Sequence, residues 1–165
     1  MPARPALLRL VGDAADQIVH DFLASQGFKL APPMAERTLR RYVTEREFRD
    51  VEIEIYRDPA WSAEGGYVRI GVLSLVHPVR QVLGPSKFEL GPHPDDTPGS
   101  WKVQGPGDVT RFAAGLFDYL RDVAIPWLKN TESMDSVLAH LAEMGHTEQC
   151  EQLRRSWGRA TTPDA

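Results

Sequence analysis

Glu52, Glu54 and Tyr56 are the first residues whose types and spacing could do chemistry. They alternate with Val51, Ile53 and Ile55, which is the pattern of a strand with one wet and one buried face. Arg40 with Tyr42, and Tyr67 with Arg69, would project from the same wet face if the strand register allows. Paired carboxylates near arginines shift one another's proton affinity and support acid–base work or hold a charged ligand. The same residues also make plain cross-strand ion pairs, each contributing about 0.2–1 kcal/mol, and the sequence favours that reading.

Other chemistry is thinly represented. Arg37, Arg40, Arg41, Arg46 and Arg49 could bind phosphate or carboxylate, but Glu36, Glu45, Glu47 and Asp50 interleave with them and predict a solvated hairpin. His140, Glu143, His146 and Cys150 are ligand types without the HExxH or paired-cysteine spacing of a metal site, and Gly145 separates His146 from the helix before it. His93, Asp95 and Asp96 offer ligands on a Pro-rich loop only. No GxSxG elbow, P-loop or GxGxxG fingerprint occurs. Cys150 shares an apolar stripe with Leu153 and Trp157 and reads as a buried, inert thiol. The expectation is therefore no metal and no cofactor. Trp61 and Trp101 lie in loop-like stretches, where tryptophan either plugs a core edge or anchors a partner.

The bulk numbers limit the function classes. The chain has 165 residues with a net charge of −4, 42% hydrophobic and 25% charged, as in an ordinary soluble globule. The mild acidity gives no electrostatic footprint for nucleic acid. No run approaches the roughly 18 apolar residues of a membrane helix, and Gly12, Asp13, Asp16 and Gln17 interrupt any signal-peptide core. One cysteine excludes an internal disulfide and suits a reducing, cytoplasmic compartment. Gly and Pro number 13 each, and the prolines exceed the usual share of about 5%.

The elements that must position these residues follow from periodicity. Helical spacing runs from Pro5 to Gln26, with Gly27 as a stop. A connector at 31–37 precedes strands at Thr38–Glu45, Val51–Tyr56 and Tyr67–Val76. Residues 77–107 form a Pro/Gly-rich segment in which Lys87–Leu90 and Ser100–Gln104 could be short strands. Asp108 is the expected N-cap of a helix that Pro126 should kink or end. Further helices start at Thr131 or Ser133 and at Thr147, and residues 158–165 read as frayed. Strands followed by helices predict one α+β domain: a three- to five-stranded antiparallel meander, with the N-terminal helix 5–26 and the C-terminal helices 108–157 on one face.

The order of Gln26-Gly27-Phe28, Leu39-Arg40-Arg41-Tyr42, the strands Val51–Tyr56 and Tyr67–Leu75, and Ile125-Pro126-Trp127-Leu128 resembles small bacterial proteins of a domain family of unknown function, the 4304 type. The resemblance implies an α+β fold and transfers no catalytic residue. The functional expectation is a bacterial, cytoplasmic, non-enzymatic module that binds a protein partner or itself, and neither nucleic acid nor membrane. Its candidate contacts are Arg40, Tyr42, Glu52, Glu54, Tyr56, Trp61, Arg69 and Trp101. The alternative is a small-molecule-binding protein or enzyme using the carboxylates and arginines of the open sheet face.

Overall fold

A computed structural model describes residues 3–46, 49–62, 64–76, 99–143 and 145–161, with side chains described except at 3–5, 76 and 156–161. The chain opens with helix α1 (Ala3–Leu23) and a tight turn at Ala24–Gln26. Five strands follow, β1 (Lys29–Ala31), β2 (Thr38–Glu45), β3 (Arg49–Arg57), β4 (Gly66–Val76) and β5 (Ser100–Val103). Helices α2 (Pro106–Tyr119), α3 (Ile125–Asn130), α4 (Met134–Glu143) and α5 (Thr147–Thr161) complete the order. The sheet is an antiparallel meander in the order β1-β2-β3-β4-β5, so the fold is α+β.

Alternation along the strands decides which face is buried. Val51, Ile53 and Ile55 of β3 sit opposite Ser74, Val72 and Ile70 of β4, and all of these are buried. Against this core face pack Leu7, Val11, Ala15, Val19 and Leu23 of α1, each four residues after the last. Phe112, Leu116 and Tyr119 of α2 and Ile125 and Leu128 of α3 join the same core. Each of the valine, leucine, isoleucine and phenylalanine side chains, fully buried, contributes about 1.5–3 kcal/mol. The opposite face, which carries Glu52, Glu54 and Tyr56 of β3, is the outer face.

Helix ends explain where the sequence reading holds and where it shifts. Gly27 has φ 82°, a left-handed conformation that costs glycine little. Asp108 is not the N-cap. Gly105 caps α2, Pro106 takes the first turn, and the Asp108 carboxylate reaches back to accept from the Gln104 N–H at 2.8 Å. Pro126 neither ends nor breaks the helical run. The turn Leu120–Ala124 widens to a π-helix, in which the Ile125 N–H donates to the Leu120 carbonyl, and the chain continues as α3. A wide turn gives a proline ring the room that an α-helical turn denies it.

Ser133 and Ser136 cap α4 reciprocally, each hydroxyl accepting from the other's backbone N–H at 3.2 and 3.0 Å. Gly145, with φ 80°, stops α4, and the His146 N–H returns to the Leu141 carbonyl at 2.9 Å. Helix α5 runs on to Thr161, past the fraying expected from 158. Strand β1 escapes the sequence reading because three residues are too few to display a period. The expected strand at Lys87–Leu90 lies outside the described residues, as do His93, Asp95 and Asp96.

Candidate functional site

Register decides which candidate residues meet. Tyr42 pairs with Ile53 and Arg40 with Ile55, so both belong to the core face and not to the face of Glu52, Glu54 and Tyr56. A bulge between Thr38 and Arg40 shifts the register there. The Arg40 Nε donates to Asp16 Oδ2 of α1 at 3.0 Å, and its Nη2 lies 3.5 Å from Asp13. Its guanidinium rests on Gly12, where an added Cβ would come within 2.5 Å of Cζ. The Tyr42 hydroxyl donates to Asp16 Oδ1 at 2.6 Å. Burial, and then the hydrogen bond to Asp16, push the Tyr42 phenol's pKa above its ordinary value. Arg40 and Tyr42 thus join sheet to helix and are withdrawn as outer-face contacts.

The outer face keeps the rest of the set. Glu52 lies beside Val43 and Leu73, and Glu54 beside Arg41 and Gly71. Tyr56 lies beside Arg69, Arg69 beside Ser100, and Tyr67 beside Lys102. Tyr67 and Arg69 therefore do share the face of Glu52, Glu54 and Tyr56. The Arg41 Nη2 donates to Glu52 Oε1, and both side chains are about 85% covered, at 15% and 14% exposure. That hydrogen bond, with the nearby carboxylates, raises the guanidinium's proton affinity. Arg69 pairs with Asp58 at 3.4 Å, near the open end of the sheet. Tyr56 leans over Gly71, which offers no side chain beneath the ring.

Neither tryptophan is an exposed anchor. Trp61 is 5% exposed and plugs the loop before β4, its ring 3.0 Å from where a Cβ on Gly66 would stand. Trp101 lies on the core side of β5, edge-on to Phe112 and Tyr119 at 5.4 and 6.4 Å between ring centres. Its indole nitrogen would come within 2.1 Å of a Cβ on Gly115. Helix α2 carries glycine there because the indole occupies the space.

Arg49, read in sequence as part of a solvated hairpin, is 2% exposed. Its Nη1 donates to the carbonyl and hydroxyl of Thr131 at 3.0 and 2.8 Å and to the Ser74 hydroxyl at 3.3 Å. Its Nη2 donates to the Leu128 carbonyl at 2.7 Å. The guanidinium caps the C-terminal end of α3, where carbonyls lack helical partners and the dipole favours a cation. Burial lowers its pKa from the usual value. A sequence signal existed, since Arg49 is in phase with Val51, Ile53 and Ile55.

Among the described residues, no three His, Cys, Asp or Glu side chains stand close enough to hold a metal ion. Cys150 is buried, its Sγ 3.5 Å from the Leu138 carbonyl. Among the described residues, no helix is long and apolar enough to cross a membrane. No family model, no curated protein and no solved structure matches the chain. The outer face, built from residues two apart on adjacent strands, can present charge, two tyrosines and a short apolar strip to something laid flat upon it.

Proposed function

We propose that the protein is a non-enzymatic, protein-binding module, of the immunity or adaptor kind, which works through the outer face of its sheet in a bacterial cytoplasm. One observation carries this reading. Arg41 is tied to Glu52 and Arg69 to Asp58 across a strand surface, so these charges neutralise one another instead of converging on a reacting group. Tyrosine and arginine are also the residues that dominate protein interfaces. The resemblance to the domain family of unknown function belongs to the same proposal.

Affinity capture followed by mass spectrometry tests it. The tagged wild type and an Asp13→Ala variant, altered on α1 away from the outer face, should recover the same protein in near-stoichiometric amount. Tyr67→Ala and Arg69→Glu should lose it. The alternative, a small-molecule site around Glu52, Glu54 and Arg41, predicts a co-purifying metabolite and no protein. That outcome would sink the proposal.

A further inference from the structure

The junction of β1 with the connector to β2 carries the two most exposed large apolar side chains among the described residues. Leu30 is 62% and Met34 is 78% exposed, and Pro32 and Pro33 between them are exposed as well. Leu10 on α1 and Tyr67 on β4 stand lower, at 43% and 44%. Scattered apolar residues on a surface are ordinary, whereas a contiguous apolar run marks a contact surface.

The run is held in one shape. Ala31 and Pro32 each precede a proline, whose ring bars the residue before it from the helical region. Each proline also fixes its own φ near about −65°. The backbone at 31–32 is thus extended, with polyproline II geometry at Pro32. Both flanks are anchored. Ala31 pairs with Arg41 in the sheet, the Thr38 N–H donates to the Ala35 carbonyl at 3.1 Å, and the Arg57 N–H donates to the Arg37 carbonyl at 2.9 Å. The ordering that a free peptide undergoes on binding is already complete in the fold.

The kind of partner follows from what the run lacks. Neither proline has an N–H to donate, and β1 is three residues long with exposed Lys29 in it. These features keep a further strand from adding to a sheet edge. Recognition therefore falls to side chains: two proline rings flanked by a leucine and a methionine. Extended proline-containing segments lie in grooves lined by aromatic side chains, whose flat faces pack on the rings. Lys29 and Arg37 are exposed at the two ends, while Glu36 leans on Arg57 at 3.7 Å, so an acidic rim complements the run.

We propose that residues 30–34 are a docking segment read by a partner protein through an aromatic-lined groove with an acidic rim. This contact is separate from the outer face and goes beyond the reading given for it.

Photo-methionine, a diazirine analogue incorporated in place of methionine, tests the proposal on the full chain. Irradiation of the cells in which the protein is native should cross-link position 34, which is open where Met134 is 7% exposed. Peptide mass spectrometry should place the other end of the cross-link on one protein, beside Trp, Tyr or Phe residues. Titration of that purified partner should give at least about tenfold weaker binding for Leu30→Glu, which sets a charge against the groove. Pro32→Ala with Pro33→Ala should weaken binding by about as much, because it keeps the small apolar surface and frees the backbone. Tyr67→Ala, on the outer face, should bind as the wild type does. Far-UV circular dichroism checks each fold, and where one connector variant unfolds the other decides.

No protein cross-linked at position 34, or a cross-link there to lipid or to a second copy of this chain, would overturn the proposal. So would a cross-linked partner surface without aromatic side chains. A partner lost with Tyr67→Ala but kept by the folded connector variants belongs to the outer face, and that result too overturns it.

Discussion

Tyr42 of β2 donates its phenolic proton to Asp16 of α1 across 2.6 Å, and the same carboxylate accepts from Arg40 at 3.0 Å. One acid thus fixes two strand residues to the first helix. Asp16→Ala should lower unfolding stability by about 2–3 kcal/mol, because it leaves a buried hydroxyl and a half-buried guanidinium without their shared acceptor. Tyr42→Phe should cost about 1 kcal/mol. Urea titration of both variants and of the double variant checks the coupling, which should be clearly non-additive for groups in contact.

The same contact predicts an alkaline limit. The fold raises the Tyr42 pKa, so above about pH 10 the unfolded chain releases a proton that the folded chain keeps. The folded state then binds more protons, and stability falls as pH rises. The Tyr42 contribution is complete below about pH 10 and is lost progressively above it. Urea midpoints measured from pH 8 to 11 should show this decline, and it should be shallower in Tyr42→Phe.

Gly115→Ala should destabilise although it improves intrinsic helix propensity. Alanine gains up to about 1 kcal/mol over glycine in a helix interior. Here the added methyl meets the Trp101 indole at 2.1 Å, and the ring is held between Phe112 and Tyr119. Overpacking of this kind costs about 1–3 kcal/mol. A urea midpoint below that of the wild type, with altered tryptophan fluorescence, is the expected outcome.

Arg49→Met should cost about 2–4 kcal/mol, since the Thr131 carbonyl loses its donor inside the fold and the Leu128 carbonyl keeps only the longer bonds from the Thr131 N–H and hydroxyl, at 3.3 and 3.4 Å. Arg49→Lys should recover only part, because one ammonium group cannot span both carbonyls as the planar fork does. Amide exchange should quicken first around residues 128–134, where the cap is lost. Uniform quickening through α1 and the sheet would contradict the local role.

Most of the architecture was legible because it rests on period. Thr38–Glu45 is a strand with the bounds read from β-branched spacing, and Val51, Ile53 and Ile55 face inward as their alternation requires. The site was only half legible. Alternation within β3 placed Glu52, Glu54 and Tyr56 together, but no feature inside β2 announces its register against β3. A one-residue shift sends every side chain to the other face, and this is what carried Arg40 and Tyr42 to α1. The π turn before Pro126 was hidden for a related reason: the proline signals a disturbance without saying whether the chain will break or widen. Arg49 was misplaced because charge suggested solvent while its phase with Val51 pointed inward. The phase prevailed because α3, almost 80 residues later, supplies the carbonyls.

That separation bears on synthesis. Arg49 precedes Leu128 by 79 residues and Thr131 by 82. At about 5–20 residues per second, translation takes roughly 4–16 s to deliver the acceptors after the arginine is made. During that interval the β2–β4 meander offers the guanidinium the Ser74 hydroxyl but neither the Leu128 carbonyl nor Thr131. A nascent chain stalled before residue 128 should therefore keep Arg49 accessible to guanidinium-modifying reagents, and release of the stall should protect it.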